Sequence, residues 1–401
     1  MSLREKVERS LSSMAESVVP EGTTPTAVLD QWTMALQTKT ELFGDVNGAL
    51  SEKIFQKLND DGVLIPDLTT ELLDGGKNFT FIDLFAGIGG MHLGFKAHGG
   101  QCVFASEFEK NAQKTYAENH RMFPFGDITK IDEEAIPAHD VLIAGFPCQP
   151  FSHAGKKLGI EDTRGTLFHD IARILKAKRP KFALLENVRG LVSHDRGYTL
   201  EVILKTLMSI GYKSILSTEL VESGDTARIQ AEAKKMILKS VDFGVPQNRQ
   251  RIYIVLWRED LDIEDFVYPT PPKLETSVGK ILEKDPDPKL TISDRLWEGH
   301  QRRKLQNRLN GKGFGYGLVT EDSPYTNTIS ARYYKDGSEI LVSQGDGRNP
   351  RKLSPREAAR IQGFPEWFKI NPSNTQAYKQ FGNSVSVPVI SALAQQIVRY
   401  L

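Results

Sequence analysis

The stretch Asp140-Val141-Leu142-Ile143-Ala144-Gly145-Phe146-Pro147-Cys148-Gln149-Pro150-Phe151-Ser152 sets the reading of the whole chain. Its apolar run predicts a short buried strand. A cysteine set between two prolines follows. Proline fixes φ and removes an N–H donor, so the turn holding Cys148 is stiff and its backbone carbonyls are left free. Open α/β sheets bind ligands beyond the carboxyl ends of such strands. The plainer reading is a buried thiol that packs as a small hydrophobe. The rest of the chain decides between the two.

Outward from this stretch, strands alternate with helices. Upstream, 80–85 and 101–106 read as strands, the second placing Cys102 in the core, and helices follow at 90–97 and 110–120. Downstream, Leu167, Ile171, Ile174 and Leu175 share a helical face before Pro180 stops it. A strand at 182–185, a helix at 200–210 closed by Gly211, and a late strand at 251–256 complete the pattern. Repeated βα units predict an α/β fold, a parallel sheet with helices on both faces. Past about residue 265, prolines, glycines and short strands take over. From Gln380 the α/β character returns, and 388–401 reads as a final helix. The expected organisation is a helical extension over 1–78, an α/β domain over 79–265, a smaller loop-rich domain over 266–350, and a segment 351–401 returning to the α/β domain. Within the extension, 36–64 leaves room for a helix-turn-helix beside the plainer readings of a helical bundle or an oligomerisation arm.

Composition bounds the rest. The 401 residues are 39% hydrophobic and 25% charged, ordinary globular material. No apolar run reaches the 18 or so residues of a membrane span, and the first residues lack signal-peptide order. Two cysteines make neither a disulfide framework nor a metal motif, so no metal is expected and the cytoplasm is the simplest compartment. Basic and acidic residues balance at 51 each, yet between 285 and 360 fourteen basic residues face ten acidic ones. That excess is weak on its own, since charged runs are commonly solvated faces.

The first βα turn is Asp83-Leu84-Phe85-Ala86-Gly87-Ile88-Gly89-Gly90. Glycines there let a ligand approach the backbone. A dinucleotide fingerprint needs a third glycine at 92, where His92 stands, so pyrophosphate is not implied. Twenty residues after Gly87 comes Glu107, where an acid binds ribose hydroxyls, with Phe108 beside it to lie against an adenine. A nucleoside-containing cofactor is expected.

With these segments in hand, the sequence resembles the DNA cytosine-5 methyltransferases from about residue 79 to 401. The likeness rests on 83–90, 145–152, Arg164-Gly-Thr-Leu-Phe168, Glu186-Asn-Val-Arg-Gly-Leu191, Gln247-Asn-Arg-Gln-Arg-Ile-Tyr253, 353–364 and Gln380-Phe-Gly-Asn-Ser-Val385, in the family's order. The resemblance implies a Rossmann-like methyltransferase domain, a target-recognition domain over 266–350 and S-adenosylmethionine as cofactor. It implies that the Cys148 thiolate adds to cytosine C6, chemistry that suits a weakly nucleophilic C5. It assigns Glu186 to N3, Arg251 to O2, Arg249 to support of the catalytic site or a phosphate, and the Pro147 carbonyl to the amino group. Around the cofactor it places Phe85, Gly87, Ile88 and Gly90 at the methionine moiety, Glu107 on the ribose, and Phe108 on the adenine face. Asp127 and Ile128 fall at the adenine edge, and Asn383 and Ser384 near the carboxylate. The family often has tryptophan where Phe108 stands. The target base lies inside a duplex, so it must be flipped out, and Lys156 lies on a glycine-containing segment suited to close on DNA.

Within that domain, 310–317 and 326–337 look most like the Dcm-type enzymes, which methylate the inner cytosine of CCWGG. Arg332 and Lys335 are the candidates for guanine contacts there. The implied partners are double-stranded DNA and a cognate restriction endonuclease, with the enzyme a monomer in a bacterial or phage-infected cytoplasm. The same chemistry on RNA is the nearest alternative, and a promoter-binding role for residues 1–78 a third reading.

Overall fold

The computed structural model describes residues 3–12, 57, 58, 60, 61, 79–147, 166–272 and 274–401. Cys148, Lys156 and most of the 1–78 extension, the 36–64 segment included save four positions, lie outside the described residues. Of the extension, α1 (Leu3–Ser12) is described. Packing divides the chain into two units: Met1–Ile237 with Arg251–Tyr268 and Leu393–Leu401, and Leu238–Gln250 with Pro269–Ala392.

In the first unit, β1 (Phe79–Leu84) leads into α2 (Gly90–Lys96), and β2 (Gly100–Ser106) into α3 (Lys110–His120). Then come β3 (Val141–Gly145), α4 (Leu167–Lys178), β4 (Phe182–Val188), α5 (Tyr198–Ser209) and the short β5 (Tyr212–Lys213). Helices α6 (Thr218–Glu222) and α7 (Thr226–Ala233), the boundary strand β6 (Ile237–Lys239) and β7 (Gln250–Arg258) follow. The sheet order is β2-β1-β3-β4-β7-β5. Strands β1 to β4 are mutually parallel, as the βα alternation predicts. By contrast, β7 runs antiparallel to both β4 and β5, so the sheet is mixed rather than parallel throughout. An apolar run reads alike in either direction, which is why its own residues could not give its sense.

Residues 141–144 and 182–185 are each fully buried, and 252–257 expose no more than 1%. Consecutive burial of this kind marks strands covered on both faces. Each large aliphatic or aromatic side chain so buried contributes about 1.5–3 kcal/mol. The C-terminus comes back to this unit: the Tyr400 ring lies 5.5 Å from Phe266 and 6.2 Å from Phe182.

In the second unit, α8 (Asp294–Leu309) precedes three two-residue strands, β8 (Leu318–Val319), β9 (Leu341–Val342) and β10 (Arg351–Lys352), in the order β10-β9-β8. Helix α9 (Pro355–Arg360) starts with a complete Ser354/Glu357 capping box, and Glu357 also takes two N–H bonds from Arg351 at 2.7 and 2.8 Å. So little regular sheet leaves the unit dependent on such polar anchors. Helix α10 (Asn374–Asn383) and α11 (Val387–Val398) end the chain.

Candidate functional site

The carboxyl ends of β3 and β4 carry the first cluster. Gly145 is in register with Glu186 on the neighbouring strand, three residues before Cys148. A side chain at 145 would meet the Glu186 carboxylate at 3.5 Å, so the absence of a Cβ keeps the space beside it open. Arg251, opposite Val188 on β7, brings its Nε to 3.1 Å from Glu186 Oε1. Their side chains are only 16% and 11% exposed, so the charges meet where water screens them weakly. Next to Glu186, the Asn187 amide donates to the Phe146 carbonyl at 2.9 Å, and its own Oδ1 accepts from the Val188 N–H. Asn187 therefore ties the peptide before Pro147 to the strand that carries Glu186. In the sequence, Asn187 stands in the 186–191 segment with no role of its own. Its signal was burial-prone placement between an apolar strand and a turn, which says nothing of a partner 41 residues away.

The second cluster lies at the ends of β1 and β2. The turn after β1 runs through the left-handed region, where glycine sits freely and Phe85 does not: Phe85 has φ 55°, Gly87 56° and Gly89 80°. A non-glycine residue in that region costs about 1–3 kcal/mol, so the surroundings must impose it on Phe85. Glu107 does part of this. Its carboxylate accepts from the Gly87 N–H at 2.8 Å and the Glu109 N–H at 2.7 Å. Burial pushes the Glu107 carboxyl up, and those N–H groups pull it back. The segment 125–128 is zipped to β2 by Phe125 N–H to Ala105 O at 2.7 Å, Glu107 N–H to Phe125 O at 2.8 Å and Ser106 Oγ to Gly126 O at 3.0 Å. Glu107, Phe108, Asp127 and Ile128 are thus brought to one edge. Asp127 caps a short turn through Thr129, and Ile128 is buried.

S-adenosylmethionine fits these residues. Cβ atoms built at Gly87 and Gly126 would find open space within 4 Å, and the Phe108 ring is 73% exposed, rare for a large aromatic and suited to stack on a base. Below the turn the support is polar: His120 Nε2 bonds the Ile88 carbonyl at 3.1 Å, the His120 ring lies tilted against His92 with centroids 4.1 Å apart, and His92 Nδ1 meets the Tyr116 hydroxyl at 2.7 Å. Glycine is required at 89, since a Cβ there would overlap the His120 ring. Cys102 is buried beside Tyr116, 3.8 Å from its hydroxyl, and burial pushes its thiol far up, out of the thiolate range.

The second unit holds the other expected residues. Arg249 precedes β7 instead of lying within it, so the two-residue spacing to Arg251 does not put both on one strand face. It is 3% exposed and donates to the carbonyls of Ser384, Gly382 (3.5 Å) and Ile329 (3.4 Å). Ser384 closes α10 and Asn383 is exposed beside it. Gln247, fully buried, accepts from the Ile329 N–H at 3.0 Å and donates to the Ile361 carbonyl at 2.7 Å. Arg332 and Lys335 are both exposed. No cluster of histidine, cysteine or carboxylate able to hold a metal occurs among the described residues.

Comparison with known proteins adds the following. The profile of the family described as C-5 cytosine-specific DNA methylase matches residues 79–399. The chain is 56% identical over 326 residues to Type II methyltransferase M.SsoII of Shigella sonnei, covering 80% of this chain and 81% of that protein. It is 56% identical over 326 residues to Type II methyltransferase M1.ScrFI of Lactococcus lactis subsp. cremoris, with 80% and 79% covered. Identity to the DNA-cytosine methyltransferase of Escherichia coli (strain K12) is 40% over 373 residues, with 79% and 77% covered. Among solved structures, the S. pombe Dnmt2 methyltransferase superposes with a TM-score of 0.59 at 20% identity, covering 80% of this chain and 98% of that one, a likeness of fold.

Proposed function

The chain belongs to the C-5 cytosine-specific DNA methylase family, and from that premise we propose that Cys148 is its nucleophile and CCWGG its target. DNA cytosine methylation with S-adenosylmethionine as methyl donor is the activity of the family. In the first unit the turn 85–90 with Glu107, Phe108, Asp127 and Ile128 would hold the cofactor, which would supply an electrophilic methyl group.

In the proposed mechanism a cytosine flips out of duplex DNA into the pocket. The Cys148 thiolate forms a bond to C6, and the ring's electron pair moves toward N3. Glu186 donates a proton there, Arg251 holds Glu186 and O2, and the Pro147 carbonyl accepts from the amino group. C5 thereby becomes nucleophilic. It would take the methyl group that S-adenosylmethionine supplies, leaving S-adenosylhomocysteine; loss of the C5 proton to a base and return of the N3 proton to Glu186 then break the Cys148–C6 bond and regenerate the thiolate. One observation carries this reading: Glu186 lies beside Gly145 in strand register, three residues before Cys148, with Arg251 on its carboxylate. An acid and a cation at the end of the strand that leads toward Cys148 in sequence are what addition to C6 requires.

The likeness of 310–317 and 326–337 to Dcm-type segments supports the inner cytosine of CCWGG as target, with Arg332 and Lys335 reading guanine and Lys156 closing on the backbone. The Type II names of the relatives support a modification role, with a cognate endonuclease or as an orphan. Bisulfite sequencing of plasmid DNA from cells expressing the chain tests this. Protection confined to the inner cytosine of CCWGG is expected, and none from Cys148→Ser; methylation at another site overturns the target, and full methylation by Cys148→Ser overturns the mechanism.

A further inference from the structure

We infer that Arg173, on α4, is a positioning residue for S-adenosylmethionine, holding in place the turn that borders the adenine. Its guanidinium uses every nitrogen. Two bonds from Nη2 reach the Ile128 and Ile131 carbonyls, each at 2.8 Å, the two ends of the short turn after Asp127. Nε donates to Asp170 Oδ1 at 3.0 Å on its own helix, and Nη1 pairs with Glu133 just beyond the turn. The side chain is 16% exposed and Asp170 10%, so these bonds are shielded from water. Asp170 fixes the guanidinium from behind, and the guanidinium fixes the turn. The ammonium of lysine is a point charge that cannot span two carbonyls and two carboxylates at once, whereas the planar fork of arginine can.

The consequence follows from geometry. Ile128 is buried and Asp127 caps the turn, so their positions depend on the peptide planes to which Arg173 is bonded. Arg173 touches neither the cysteine turn nor Glu186 through any of these bonds. Its loss would loosen cofactor binding and leave the chemical steps intact. This inference rests on the reading that Asp127 and Ile128 border the adenine.

The test is calorimetric binding of S-adenosylmethionine and of S-adenosylhomocysteine to the full chain, with methyl transfer measured alongside. Arg173→Ala is expected to weaken both ligands about twentyfold, and Arg173→Lys about fivefold. At saturating cofactor, kcat should stay within threefold and the KM for DNA should not move. Lys178→Met, on the same helix but bonded only to Glu134, should bind as wild type. Folded Arg173 variants with wild-type affinity, in a background where Ile128→Ala weakens binding, overturn the clamp. Wild-type affinity in both Arg173→Ala and Ile128→Ala overturns the adenine-edge reading itself. Should Arg173→Ala fail to fold, the Lys variant decides, with a kcat loss at unchanged affinity counting against the inference.

Discussion

Glu186 and Arg251 show how far single residues could be read. Glu186 was assigned through the family's Glu-Asn-Val segment; strand pairing sets it against Gly145, and an ion pair brings Arg251 to its carboxylate. A general acid contributes about a hundred- to ten-thousandfold. Glu186→Gln is therefore expected to lower kcat by at least a hundredfold while S-adenosylmethionine affinity, measured calorimetrically, stays within twofold. A parallel loss of affinity would place Glu186 in the cofactor pocket instead. Gly89 is a second such position. With φ 80° and the His120 ring in the path of a Cβ, Gly89→Ala is expected to cost 1–3 kcal/mol or more in urea unfolding and to weaken the cofactor. The glycine was legible in the sequence, but its neighbour His120, 31 residues on, was not. Arg249 is the counter-example, because its partners are carbonyls 80 to 135 residues away in the chain, which no local pattern encodes.

At the scale of elements, helices α2 and α3 seal the cofactor turn with two imidazoles. Burial drives His92 well below its ordinary range and takes His120 down to about 3; Lys96 opposes protonation of both, and His120 adds to it at His92. Above pH 6.5 both rings are neutral in folded and unfolded chains, and their contribution to stability is complete. As pH falls below 6.5 the unfolded chain takes up protons that the folded one refuses, so stability falls. The slope is up to about 1.4 kcal/mol per pH unit for each ring, and for His120 the loss is complete below about pH 3. Urea unfolding at pH 7, 6 and 5 should show this decline, and His120→Asn should flatten it by about one proton. An unchanged slope would mean that His120 is not held neutral. Element boundaries followed from apolar spacing and from Pro180 and Gly211, whereas the sense of β7 did not. Strand direction depends on what a strand meets, and β7 fits antiparallel between β4 and β5.

For the molecule as a whole, the alternation of strands and helices was legible because each buried strand is a continuous apolar run bounded by turn residues. The loop-rich unit was recognisable mainly by the absence of such runs. Its few two-residue strands and its anchors, such as Arg351 on Glu357, leave no periodic signal. The division of the chain by packing, with 238–250 grouped with 269–392, follows from long-range contacts such as Gln247 to Ile361. The central proposal for the molecule is that Cys148 adds covalently to cytosine C6. The direct measurement uses duplex DNA with 5-fluorocytosine at the inner cytosine of CCWGG, incubated with the protein and S-adenosylmethionine. Fluorine at C5 cannot leave as a proton does, so the bond to C6 is retained. The expected result is a stoichiometric protein–DNA adduct that mass spectrometry maps to the peptide containing Cys148, absent in Cys148→Ser. Methyl transfer to ordinary DNA by a Cys148→Ser protein, or an adduct mapped to Cys102, would contradict it.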